Sequence, residues 1–394
     1  YLKNCQNKTL IIMEVIRKWP FYLKLTCTLL SIICLTFISI IGKGILVPLI
    51  LGFLISILLA PVCAFFERYL RIPRAISSII TTLLFAAFIL GIFYLIAIQM
   101  AEIANEWPTF QKQIIEAFMN LQDWIHHTFG VNSHAQMEYL TKNVKTTIET
   151  STIVIEKVIS IVSSMAVTVL FTFLYIVFLL IYRRHLVKFL YYAFNSNTHD
   201  QVYNVITSIQ KMVKQYLIGL FLQMLVVSIL SFIAFSILGL KYKFVLAILT
   251  GVLNVVPYVG IVISLIITLI ITFATMSASK LFFVLIAFIA IHAIDGNVVM
   301  PKIVGSKVKI NSLIVIIGLV IGEMTWGIMG MLLSIPILAL MKIVFDNVTE
   351  LKPWGYLLGD EDSTEIDDDL NSFLAKKKAK KSKKKTKKLD ENLE

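Results

Sequence analysis

Charge is scarce in this chain. Only 15% of its 394 residues are Asp, Glu, Lys or Arg, against about 25% in a soluble globular domain. Cysteine is scarcer still: Cys5, Cys27, Cys34 and Cys63 are scattered without metal-ligand spacing, so no metal site is expected. Cys27 and Cys34 lie inside the first apolar block and read as small hydrophobes. Nucleophile–base pairs, metal motifs and phosphate-cradling loops are also missing, which argues against an enzyme and against a cofactor. No small-residue cleavage site follows the first apolar block, so that block is not read as a cleaved signal peptide. The sequence opens on Tyr1; Met13, just before a basic stretch and the first block, is the expected natural start.

A net charge of +12 would suggest nucleic acid, but its distribution does not. Residues 346–394, with their Lys cluster, hold 11 basic and 12 acidic side chains, so the excess lies within residues 1–345. There it sits in short loops, where it orients membrane helices. Nucleic acid is not an expected partner.

What the chain has in abundance is apolar length. Hydrophobic residues make up 58% and mean hydropathy is +0.85. Long apolar blocks occupy residues 25–41, 44–64, 75–99, 158–182, 216–240, 244–274, 281–299 and 311–345; crossing a bilayer as a helix takes about 20 such residues. The expected fold is an all-α integral membrane protein, a polytopic helix bundle of about eight hydrophobic segments.

Loop charges give an orientation. Arg17, Lys18 and Lys24 precede the first block, and Arg68, Arg71 and Arg74 follow the second, placing the N-terminal residues 1–24 and this loop in the cytoplasm. Three helices over 25–99 then lead to an extracytoplasmic segment, 100–156, rich in Glu and Asp. Its apolar residues recur at three or four positions (Phe110, Ile114, Phe118, Leu121, Ile125; then Leu140, Val144, Ile148, Ile155, Val158), as on amphipathic helices. The second stripe runs without a breaker into the next membrane block, predicting one long helix. Trp107 and Trp124 suit an interface, and His126, His127 and His134 read as solvated surface residues. Residues 157–215 read as a fourth membrane helix with a cytoplasmic loop, 216–345 as the transport core, and 346–394 as a disordered charged cytoplasmic tail able to touch anionic lipid.

The core is harder to thread. As one straight helix, 311–345 would be about 50 Å long against a hydrocarbon core of about 30 Å. With one span per block, Lys302, Lys307 and Lys309 would also fall outside. Both difficulties vanish if 244–274 and 311–345 are re-entrant hairpins, each with breakers near its middle: Asn254, Pro257 and Gly260, then Gly322, Gly327 and Gly330. The C-terminal half would then be an inverted repeat, with the broken helices of many secondary transporters. Eight ordinary spans, some long and tilted, are the alternative.

A polar group at membrane depth is costly and is by default a functional candidate. Asn254, Pro257 and Tyr258 occupy the first break. His292, Asp295 and Asn297 end the 281–299 block, with Gly296 inside the run and Pro301 beyond; Glu323 and Trp326 lie near the second break. His292 and Asp295, three apart, share a helical face. Gln99 and Gln223 are isolated and read as hydrogen-bonding to neighbouring helices. Gly327, Gly330 and Ser334 suit close packing.

Three segments resemble the signature stretches of the autoinducer-2 exporter (AI-2E) family: Gly251–Gly260, Asp295–Gly305 and Gly327–Pro336. Val47-Pro48 and Ala60-Pro61 fit that family's second helix, and the resemblance covers roughly residues 13–350. It implies a bacterial inner-membrane permease with eight membrane segments, a sizeable loop after the third and homo-oligomeric assembly, possible as a pentamer; the loop charges put both termini in the cytoplasm. Export of autoinducer-2 is attributed to some members and sodium/proton antiport to others. Asn311-Ser312 departs from the His-Pro-like pair common in the family. Two transport functions therefore stand: secondary export of a small polar metabolite such as autoinducer-2, or exchange of Na⁺ or Li⁺ for protons through His292, Asp295 and Glu323. A third, a non-transporting scaffold or receptor, rests on the 100–156 segment and the charged tail.

Overall fold

The computed structural model describes residues 20–105, 112, 116, 119, 151–195, 198–256, 259–276, 278–299 and 310–360. The stripes of 106–150 and the charged tail beyond 360 lie outside the described residues, apart from those three positions. Among the described residues the structure is all-helical, with a single isolated bridge between Ile310 and Gly359.

Among the described residues seven helices are long and apolar enough to cross a membrane. They begin with α1 (Phe21–Ile41), α2 (Lys43–Tyr69), α3 (Arg74–Asn105), α4 (Ser151–Ala193) and α5 (His199–Leu238). Shorter α6 (Lys243–Leu253) and α7 (Val259–Thr275) follow, then α8 (Ala278–Ile294), which continues as a π-helical turn over Asp295–Val299. The bundle closes with α9 (Ser312–Trp326), α10 (Ile328–Asn347) and a short α11 (Lys352–Leu358). Phe, Ile and Leu side chains cover the outer surfaces, as in a helix bundle solvated by acyl chains.

Two helices run far beyond their apolar blocks. α4 has 43 residues and α5 has 40, about 65 and 60 Å at 1.5 Å per residue. Residues 199–215, read from their charge as loop, are therefore helical. Ile209, Met212, Val213 and Tyr216 recur at helical spacing in α5 and pack against Val47 and Leu54 of α2 and Leu333 of α10, which holds the charged stretch in a helix. α5 is the hub: α2, α6, α8 and α10 all pack on it.

Both suspect blocks are broken. In the first, α6 ends at Leu253, residues 254–256 turn, and α7 starts at Val259 with Gly260 packed on the Leu253 carbonyl; Pro257 and Tyr258 lie outside the described residues. The second breaks at Gly327, whose φ of 67° lies in the region that only glycine enters without strain. α9 then folds back along α10. A Cβ on Gly330 would overlap the Gly322 carbonyl, and Ser334 Oγ donates to the carbonyl of Gly318 across the seam at 2.8 Å. The pairing of 322 with 330 and 318 with 334 is that of an antiparallel hairpin. Gly322 and Gly330, expected as breakers, thus serve as contact points, and only Gly327 is the break.

The inverted-repeat expectation finds no counterpart in the packing. α6 lies along α5, but α9 packs on α10 and, less extensively, α1, while α8 packs on α5 and α7. The helix that would lead the second unit is thus joined to the first.

α1 is exposed along its described length except at Ser39, and Trp326 Nε1 donates to the Ser39 carbonyl at 2.9 Å. At the other end of α2, Glu67 accepts from Arg183 Nη2 of α4 at 2.6 Å, with Arg74 Nε of α3 at 4.0 Å. Ser77 Oγ of α3 donates to the Cys63 carbonyl at 2.8 Å, so α2, α3 and α4 are tied together there.

The seam between α9 and α10 admits no side chain at Gly330. Gly330→Val is expected to lower the melting temperature of the detergent-purified protein by several degrees, and Gly330→Ala by less. A valine variant as stable as the parent would show that the two helices do not pack this closely.

Candidate functional site

Asp295 is the deepest acidic group in the described bundle, 5% exposed. It opens the π-helical turn that continues α8; such turns recur at functional sites because they disturb the ordinary helical register. An ionised carboxylate in such a place is costly unless donors meet it. Two side-chain amides do. Gln223 Nε2, midway along α5, donates to both Asp295 oxygens at 3.1 and 3.0 Å. Asn254 Nδ2, at the end of α6, donates to Oδ2 at 2.9 Å. All three side chains are buried.

Local sequence explains how the three elements meet. Gly251 lets α6 approach α5 so closely that a Cβ there would overlap Ser228 Oγ and the Met224 carbonyl. That contact sets Asn254, one turn further on, beside the α5 face bearing Gln223. Higher on the same face, Phe235 packs against Phe288 of α8 with ring centroids 5.8 Å apart, which aligns α8 and brings Asp295 to Gln223.

His292 lies one turn before Asp295. Its ring tilts over Phe288 at 5.7 Å, and among the described residues neither buried ring nitrogen has a hydrogen-bond partner. On α5, two turns from Gln223, Ser231 Oγ is likewise buried with no partner among the described residues. Chemically the cluster offers one carboxylate, two amides able to turn either their N–H or their C=O inward, and an imidazole that can donate or accept. That set suits a hydroxyl-bearing solute, a small cation or a proton.

The structure sorts the other candidates. Asn297 is exposed and donates to the Ala293 carbonyl of its own helix at 2.8 Å, and Gly296 is exposed. Glu323 is exposed on α9, and among the described residues no hydrogen bond joins it to Asp295. Trp326 is buried but spends its N–H on α1. Pro257, Tyr258, Pro301 and the Gln99 side chain lie outside the described residues. Asn254 and Asp295 are therefore united, His292 adjoins them, and Gln223, expected to hydrogen-bond to a neighbouring helix, does so to Asp295, an acceptor the sequence did not identify. The one available signal for Gln223 was a carboxamide in an apolar run.

Comparison with known proteins agrees with this architecture. A family model described as AI-2E family transporter matches residues 26–350. The putative transport protein YrrI of Bacillus subtilis is 25% identical over 322 residues, covering 79% of this chain and 88% of its own length. YhhT of Escherichia coli K12, also a putative transport protein, is 24% identical over 326 residues, or 81% of this chain and 89% of its own. The AI-2 transport protein TqsA of the same strain is 24% identical over 322 residues, covering 80% and 90%. The resemblance read from three short segments thus extends over most of the chain, and this multi-pass membrane protein belongs to the AI-2E transporter family.

Proposed function

We propose that the chain is an inner-membrane secondary transporter that exports a small polar metabolite, autoinducer-2 or a related solute. Support comes from the buried meeting of Gln223, Asn254 and Asp295 at the ends of broken or distorted helices. Helices interrupted inside a membrane protein collect solute contacts where their backbone and polar side chains face a cavity. Two amides and a carboxylate match a solute rich in hydroxyls, and the name carried by TqsA points the same way. Homo-oligomeric assembly belongs to this reading on the family resemblance.

A specific observation favours the second reading, exchange of a monovalent cation for protons. His292 and Asp295 both carry ionisable groups, lie one turn apart on one helix, and the imidazole has no hydrogen-bond partner among the described residues. A carboxylate that gives up its proton when a cation arrives needs such a neighbour to pass it on. Glu323, exposed and away from the cluster, contributes little to either reading.

In both readings the termini face the cytoplasm and the two broken blocks enter and leave on one side. Single cysteines placed at residues 302–309 are then labelled by a membrane-impermeant reagent only from the cytoplasmic side. Labelling from outside alone would contradict the two-hairpin arrangement.

Proteoliposomes separate the substrates. Asp295→Asn is expected to cut solute efflux at least tenfold while the protein still inserts and purifies. If Na⁺ or Li⁺ drives proton movement and the substitution abolishes it, exchange is the activity. Solute efflux indifferent to Na⁺ supports export. Full transport of either kind by Asp295→Asn would contradict the assignment of this site.

A further inference from the structure

The last two turns of α2 carry a feature that transport does not use. Pro61, Ala64, Phe65, Arg68 and Tyr69 line an open groove of about 500 Å³. Its floor is apolar, and Phe65 stacks on Tyr69 with centroids 5.2 Å apart and planes 13° from parallel. Arg68 stands at the mouth, about 10 Å along the helix from Pro61 at 1.5 Å per residue. The groove therefore pairs an apolar slot with a cationic rim.

The charge around that rim is unbalanced. Glu67 is the one carboxylate between residues 60 and 80, and it is taken by Arg183, with Arg74 close by. Arg68 and Arg71 are exposed, and among the described residues neither has an acidic partner. Arg71 adds an independent sign. It is the only described non-glycine residue with a positive φ, 52°, in the position after a helix end where glycine is the usual occupant. A bulky cation kept where glycine would fit with less strain points to a use for its charge.

We propose that this groove seats an anionic phospholipid, its phosphate on Arg68, with the charge of Arg71, three residues further along the chain, in support and the start of an acyl chain along Pro61, Ala64 and Phe65. Charge complementarity selects this occupant. A guanidinium pairs with phosphate oxygens through two N–H donors, whereas an apolar segment of protein would leave both cations without a partner. The site lies at the end of α2 that the loop charges assign to the cytoplasmic leaflet, and basic pockets at membrane-helix ends hold anionic headgroups in this way. The inference does not depend on which solute is transported.

Native mass spectrometry of the full chain, released from mixed phosphatidylglycerol and phosphatidylcholine nanodiscs, tests it. The parent is expected to retain phosphatidylglycerol in preference to phosphatidylcholine. Arg68→Gln with Arg71→Gly should lower that preference at least fivefold, and Lys188→Gln, a charge removed from α4 outside the groove, should leave it intact. Arg71→Gly relaxes the backbone, so an unchanged melting temperature in that single variant separates lost lipid from lost fold. A double variant with parental preference would overturn the proposal, as would equal loss in Lys188→Gln, which would make the effect one of bulk charge. Displacement of the lipid by millimolar inorganic phosphate would reassign the site to soluble anions. A chain-to-chain disulfide formed by Ala64→Cys and absent from the parent would reassign the groove to a second copy.

Discussion

A carboxylate inside a membrane bundle has no water to turn to, and the hydrogen bonds that receive Asp295 organise much of the C-terminal half. Three of them come from two amides on separate helices. For those bonds to exist, α6 must stop near Asn254, α5 must turn Gln223 inward, and the end of α8 must reach both. Gly251 and the Phe235–Phe288 contact supply the approach and the alignment. Removing one partner of such a cluster leaves a buried group unsatisfied, typically at about 1–3 kcal/mol and more for a charge. The polar cluster is thus a structural joint as well as a candidate binding site, and a solute or ion that competes for its bonds acts on three helices at once.

The hairpin of α9 and α10 is built on the opposite principle. Its closest contacts are at Gly318, Gly322 and Gly330, where glycines let the helices approach, and one hydrogen bond, Ser334 to the Gly318 carbonyl, crosses it. Trp326, at the end of α9, reaches across to the α1 backbone, and α1 otherwise presents apolar side chains outward. The bundle therefore combines a tightly packed hairpin with a buried polar centre between α5, α6 and α8.

Hydropathy made the membrane class legible, and Asn254 and Gly327 marked their breaks, because a helix interrupted inside an apolar block must show its breakers. Asp295 stood out for a similar reason: acids at membrane depth are rare enough to notice. Gln223 was visible as an amide in an apolar run that should bond to a neighbouring helix, but nothing near it marked Asp295, 72 residues away, as the acceptor. Arg74 read as an orientation signal, and nothing in the sequence marked that it and Arg183 meet Glu67 between helices. The charged start of α5 read as loop because its packing partners, Val47, Leu54 and Leu333, lie in distant segments. That Trp326 and Asn297 turn their N–H groups to the Ser39 and Ala293 carbonyls was not legible, because composition shows where a polar atom sits along the chain but not where it points.

The most direct test is a double-mutant cycle in transport. Gln223→Leu, Asp295→Asn and the pair are reconstituted and their initial rates compared with the parent. If the amide acts through the carboxylate, the double variant is no slower than Asp295→Asn alone, and the coupling is large. Independent, multiplying losses would contradict the central claim that these residues form one functional unit.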